Sequence, residues 1–354
     1  MSKRKVKKTS KTMENSKIIK SKNMKRKIYT TLIGKEEEFK MLELSNTLSL
    51  PLLFIGKPGT SKTKIVLDYM NAVNQKSNTF ILETDEGTPN SAVKGNVDLE
   101  KLFTENKFET IAPIAKSNCI LINEIDKGSS MIRNSLLGIM NERILFAGKE
   151  QIKCDWEVFV ATCNQIPKQE KNSPFFDRFI LKHEVTGLSS TQMLSYFNQG
   201  GRSYQKTIEV NCAIQDEMDK INIPDEKLKV FIELFIDKVS NRTLTYAVNM
   251  IKAVCCIWEI GIDQAMIKTA EIMSSREAAT ELITKLYSEI QLEIISKVEM
   301  LRIHSNQKQK EICLLEIRKL LNKYNSKDKQ SDPFVMEIES EITKTMSFND
   351  FNLN

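Results

Sequence analysis

The stretch Gly56-Lys57-Pro58-Gly59-Thr60-Ser61-Lys62-Thr63 combines small residues, a cation and a hydroxyl in the order that binding a phosphate chain requires. In a loop running from Gly56 to Ser61, backbone N–H groups turn inward around a β-phosphate, reinforced by the positive end of the helix that follows. Lys62 then reaches the β- and γ-phosphates, and Thr63 offers its hydroxyl to Mg²⁺. The full pattern asks for Gly, four residues, Gly, Lys and Ser or Thr. Ser61 stands where the second Gly is expected, and it is small enough for the loop to survive. The expected ligands are therefore ATP and Mg²⁺.

Two later positions add to this chemistry. Asn123-Glu124 ends an apolar run where a phosphate-loop enzyme carries an acidic pair. In such a pair the first acid holds Mg²⁺ through water and the second, here Glu124, polarises the attacking water as general base. Asn123 keeps an oxygen for the hydrated metal but lacks the charge, so weakened Mg²⁺ binding and slow turnover are expected. Further on, Cys163-Asn164 ends another apolar run, and Asn164 could hydrogen-bond both the γ-phosphate and the attacking water.

These residues need elements to bring them together. Leu52 to Ile55, Cys119 to Ile122 and Val158 to Thr162 read as short buried strands, and Ile65, Val66, Tyr69 and Met70 recur at helical spacing after the loop. Strands of an open parallel sheet end at one edge, where such folds bind ligands. An α/β fold follows, with a parallel sheet flanked by helices.

At this point the chain resembles the MoxR-type AAA+ ATPases, from about Leu32 to Leu286. The resemblance is carried by Ile33-Gly34-Lys35-Glu36, the phosphate loop, Asn123-Glu-Ile-Asp-Lys-Gly128, Asn134-Ser-Leu-Leu137 and Met140-Asn-Glu-Arg143. Ala161-Thr-Cys-Asn-Gln-Ile-Pro167, Phe176-Asp-Arg-Phe179 and Ser240-Asn-Arg242 complete the set. It implies that Ile33 and Gly34 line an adenine pocket and that Asn164 is the sensor 1 residue. It further implies that Arg178 is an arginine finger reaching a neighbouring subunit's nucleotide and that Arg242 is the sensor 2 residue on a helical lid. Thr88 to Gly95 looks like the segment before the family's helix-2 insertion. A P-loop AAA+ sheet, an all-α lid domain and a ring, expected to be a hexamer, are implied as well, as are partners containing von Willebrand factor A domains.

Composition bounds the remainder. Residues 1 to 28 hold 12 Lys or Arg and one acid, a charge of +11 against +6 for the whole chain, which leaves −5 for the rest. This segment is expected to be a basic disordered tail and a candidate nucleic-acid arm. The AAA+ domain is expected over 29–185, the helical lid over 186–286 and a C-terminal helical extension over 287–354. From the end of the lid into that extension, apolar residues from Leu286 to Leu301 and from Ile312 to Leu321 predict two amphipathic helices, and the last twenty residues are expected to be loosely ordered. Seven cysteines without a Cys-x-x-Cys pair read as reduced, and His183 and His304 are too isolated for a metal site. No apolar run approaches a membrane span, so a cytoplasmic protein with no membrane contact is expected.

The reading is an ATPase that remodels a partner protein. Two alternatives stand beside it: a ring subunit that binds ATP but scarcely hydrolyses it, because of Asn123, and a nucleic-acid-acting motor using the basic tail.

Overall fold

The computed structural model describes residues 24–73, 79–147, 150–170, 173–198, 205–303, 306–324 and 332–350. Its strands, in chain order, are β1 (Met24–Thr30), β2 (Leu52–Ile55), β3 (Thr79–Glu83), β4 (Asn96–Val97), β5 (Thr110–Ile111) and β6 (Cys119–Asn123). They continue with β7 (Ile144–Ala147), β8 (Glu150–Lys153), β9 (Val158–Cys163), β10 (Leu181–Glu184) and β11 (Lys206–Cys212). Five of them form a parallel sheet in the order β10-β2-β9-β6-β3.

The central strands are apolar on both sides, as a sheet covered by helices on both faces requires. Cys119 and Leu121 of β6, Val158 and Val160 of β9, and Leu52 and Phe54 of β2 face one hydrophobic core. Their alternating neighbours Ile120, Ile122, Phe159, Ala161 and Leu53 face a second core. The first core continues into the helical region through Phe231, Met250, Ile251, Val254 and Met266. The second is closed by the helix Ser130–Asn141, whose Ile132, Leu136 and Ile139 are buried. Ser129 caps that helix, its hydroxyl accepting from the Ile132 N–H, and Ser240 caps the helix Asn241–Thr245 in the same way.

Two short antiparallel ribbons project from this body. β4 and β5 enclose the helix Leu99–Glu105 after Gly95, where an insertion was expected, and β7 pairs with β8 after the helix Ser130–Asn141.

Three boundaries differ from the sequence reading. The tail was expected to run to residue 28, but Met24–Thr30 is a strand paired antiparallel with β11 along its whole length. Charge concealed it: Lys25, Lys27 and Tyr29 point outward while Ile28 and Thr30 are buried and Arg26 is half-buried. Arg26 donates from Nε to Glu43 Oε2 at 2.8 Å, and the Tyr69 hydroxyl donates to the same oxygen at 2.7 Å. The rest of the basic tail, with its candidate nucleic-acid role, lies outside the described residues. The same pairing means that the lid region contains a strand, β11, and is not all-α. Finally, the C-terminal stretch expected to be loose carries the helix Pro333–Asp350, with Phe334 and Ile338 packed among Tyr287, Ile294, Val298 and Ile317. No helix among the described residues is long and apolar enough to cross a membrane.

Candidate functional site

Parallel register brings the carboxyl ends of β2, β6, β9 and β10 to one edge. Ile55 is level with Cys163 on one side and Glu184 on the other, and Ile122 with Ala161. The chain leaves β2 through Gly56, whose N–H donates to Cys163 O at 3.1 Å. A Cβ at Gly56 would lie 2.3 Å from the backbone oxygen of Val185, so the loop can leave the sheet there only without a side chain. Gly59 has φ +82° and Ser61 has φ 67°. The left-handed conformation explains why glycine is preferred at position 61, and Ser61 adopts it at a cost of about 1 kcal/mol.

Lys62 opens the helix Lys62–Val73, and its Nζ turns back over the loop. It donates to Gly56 O, to Lys57 O at 3.1 Å and to Asn164 Oδ1 at 3.3 Å. Burial lowers the pKa of the Lys62 ammonium; Cys163, Asp126 and Glu124 act in the opposite direction. Cys163 itself is pushed up to about 12 by burial and by Asp126, and it stays a neutral thiol.

Thr63 donates from Oγ1 to Asn123 Oδ1 at 3.2 Å, and Thr162 donates to the same oxygen at 3.1 Å. Asn123 is buried. The phosphate-loop hydroxyl and the residue at the tip of β6 thus share one small polar focus. Glu124 follows with φ 55°, a left-handed position for a non-glycine residue. Its peptide is pinned by the Thr84 hydroxyl, which donates to Asn123 O at 3.0 Å and Glu124 O at 2.9 Å. The Glu124 carboxylate is half-exposed and accepts from Lys127 Nζ at 2.6 Å.

A cavity of about 410 Å³ adjoins the loop, lined by Ile33, Gly59, Thr60, Ser61, Thr186, Gly187, Leu188, Met193 and Tyr196 among others. Gly34 has φ +63°, and a Cβ there would collide with the Gln192 side chain. Buried Lys35 ties this segment to the later loop, donating to Thr186 O and to Glu38 Oε1. Thr84, Thr162, Met193, Tyr196 and Thr186 to Leu188 were not singled out in the sequence; isolated threonines and a Gly-Leu turn give no periodic or spacing signal there.

The two arginines lie elsewhere. Arg178 caps the short helix Pro174–Asp177 and lies three residues before the start of β10, whose first residue, Leu181, is level with Leu52 at the start of β2. Its Nη1 lies 3.5 Å from Asp177 Oδ2, and its buried Nε has no hydrogen-bond partner. Arg242 donates from Nη1 to Asn141 Oδ1 at 2.7 Å. Asn141 ends a 12-residue helix that begins near the strand tips and runs back about 18 Å along the sheet. The neighbouring Arg143 donates to Ser49 O, just before β2. Both Arg178 and Arg242 therefore sit toward the sheet edge opposite the phosphate loop of their own chain.

The oxygens of Thr63 and Asn123 are hard donors that suit Mg²⁺, which binds through few protein groups plus water and phosphate. Among the described residues no cluster of three or more His, Cys, Asp or Glu forms a self-sufficient metal site. The donor set fits a cation that arrives with a nucleotide.

A candidate ATPase of Cytophaga hutchinsonii has the same fold, with a TM-score of 0.54 at 18% identity over 71% of this chain and 86% of that one. An uncharacterised protein of Methanocaldococcus jannaschii, MJ0812, is 26% identical over 211 residues, 56% of each chain. The structural protein ORF618 of Acidianus two-tailed virus is 24% identical over 157 residues, 43% of this chain and 25% of that one. The chain thus spans little more than half the length of MJ0812 and a quarter of ORF618. Residues 19–223, more than half of the chain, match the model of the MoxR domain in the MoxR-vWA-beta-propeller ternary systems, and the chain belongs to this family of MoxR-type AAA+ ATPases.

Proposed function

We propose that the chain binds ATP with Mg²⁺ at the carboxyl edge of its sheet and hydrolyses it slowly at subunit interfaces of a ring, to remodel a partner protein. The observation that carries this reading is the convergence of Lys62, Thr63, Asn123, Glu124 and Asn164, from three separate strand ends, beside a cavity edged by Ile33 and Gly59 to Ser61. Gly56 to Ser61 cradle the phosphates through backbone N–H groups, and Lys62 leaves its carbonyl partners to meet their charge. Thr63 and Asn123 hold the hydrated cation, which neutralises charge on the phosphates when bound. Glu124 takes the proton of the attacking water once it separates from Lys127, and Asn164 orients that water. Ile33 and Gly34 flank the base.

The placement of Arg178 and Arg242 toward the opposite sheet edge supports a part for them outside the nucleotide site of their own chain. Their role is to complete a neighbouring site, which makes hydrolysis depend on assembly. The ring is expected to be a hexamer, and the family's occurrence with von Willebrand factor A proteins supports such a partner. The hydrolysis-poor structural subunit remains the second reading, favoured by the neutral Asn123 and by the kinship with a viral structural protein.

Mixing two inactive variants tests the assembly. Arg178→Ala is expected to bind ATP without hydrolysing it, and adding Lys62→Ala protein is expected to restore part of the activity at mixed interfaces. Hydrolysis by Arg178→Ala alone at the wild-type rate, independent of protein concentration, contradicts the reading.

A further inference from the structure

Asp126 lies two residues beyond Glu124 and has no part in the scheme above, yet it is joined to its centre. Its Oδ2 accepts from the Asn164 N–H at 3.3 Å, and Asn164 Oδ1 in turn accepts from Lys62 Nζ at 3.3 Å. The other oxygen, Oδ1, is shielded from solvent and has no hydrogen-bond partner. The carboxylate also forms part of the wall of a cavity of about 780 Å³, with Asp85, Glu86, Lys127, Arg133 and Glu170. Glu170 is occupied by Arg133 at 2.9 Å and Lys127 by Glu124, so neither cation of this wall donates a hydrogen bond to the Asp126 Oδ1, and the charge acting on the carboxylate from the nucleotide side is the Lys62 ammonium.

A buried carboxylate oxygen without a donor is costly, and proteins keep one where another charge completes the arrangement. Three residues earlier in the chain, at the tip of β6, Asn123 presents a neutral amide where phosphate-loop enzymes place a carboxylate. We infer that Asp126 supplies the negative charge that position 123 lacks: a positioning residue that fixes Asn164 and, through the water shell, balances the divalent cation faced by Thr63 and Asn123. The inference rests on the proposed nucleotide site and names a further residue for it.

The test measures ATP binding to the full chain by calorimetry, with and without Mg²⁺, and the Mg²⁺ concentration that half-saturates the enhancement. Asp126→Asn keeps the shape and the acceptor for the Asn164 N–H while removing the charge. It is expected to leave Mg²⁺-free ATP binding unchanged and to raise the half-saturating Mg²⁺ about tenfold, the size of one lost charge-assisted contact. Asn123→Asp placed in the same chain is expected to return the Mg²⁺ dependence to the wild-type value, because the charge is restored at the neighbouring position. Asp126→Ser serves as a second neutral variant if the amide does not fold. An unchanged Mg²⁺ dependence overturns the inference. So does an equal loss of ATP binding with and without Mg²⁺ that Asn123→Asp fails to repair, since Asp126 would then only anchor Asn164. A wild-type chain that binds no ATP at any Mg²⁺ concentration removes the nucleotide site itself, and the inference with it.

Discussion

Restoring a carboxylate at position 123 sets two opposed effects against each other in one buried spot. In the wild-type chain Asn123 Oδ1 accepts two hydroxyl donors, Thr63 at 3.2 Å and Thr162 at 3.1 Å. With Asn123→Asp both bonds become charge-assisted, a gain of about 1 kcal/mol each. Against this stands the cost of burying a carboxylate, several kcal/mol after relaxation, plus repulsion from Glu124 and Asp126 nearby. Without nucleotide the variant is therefore expected to be less stable than wild type by roughly 1 to 3 kcal/mol. Mg²⁺ with ATP reverses the sign, since the cation compensates the buried charge. The assay is thermal unfolding over a Mg²⁺ series, with and without ATP, alongside ATP turnover. The expected result is a lower Tm for the free variant, a larger rise on adding Mg²⁺ and ATP, and faster turnover or a lower Mg²⁺ requirement. If Tm, rate and Mg²⁺ dependence all match wild type, the ion is held by other groups and the emphasis on position 123 is misplaced.

Two further expectations concern stability. Arg26→Ala leaves Glu43 buried with Tyr69 as its remaining hydrogen-bond donor among those described above, and is expected to cost about 3 kcal/mol in chemical denaturation, since it strands a buried charge; no change would mean that β1 contributes little to the fold. His183, on β10 beside Phe54, has its pKa lowered to about 4 by burial and by Lys268. Its folded value lies below the unfolded one, so its contribution is fully present above about pH 6.5 and is lost as the pH falls through 4. His183→Gln is expected to flatten this part of the stability profile, and parallel profiles for both chains would contradict it.

The strand tips were legible because buried parallel strands are written as short continuous apolar runs, and Gly56, Asn123 and Asn164 punctuate three of them. The functional consequence of Ser61 was less visible: its small size is plain in the sequence, whereas its left-handed backbone appears only in the structure. Strand β1 escaped because its outward-facing lysines dominate the local charge, although Arg26, Ile28 and Thr30 alternate inward. Its partner β11 lies about 180 residues away, and no local pattern specifies such a pairing. For the same reason the segment from Thr186 to Leu188 gave no sign of meeting Ile33. The arginines were legible as residue types in family positions, but which sheet edge they occupy depends on how the helix Ser130–Asn141 and strand β10 pack, and that is set by the whole core.

The proposed function requires that the sheet edge containing Lys62 bind nucleotide. Titrating ATP with Mg²⁺ into the wild-type chain and into Lys62→Ala by calorimetry tests this most directly, because Lys62 is the side-chain cation of the loop and its removal leaves the phosphates to backbone N–H groups alone. Saturable binding by wild type and its loss in a folded Lys62→Ala protein is the expected result. Equal ATP affinity in the two chains would contradict the site.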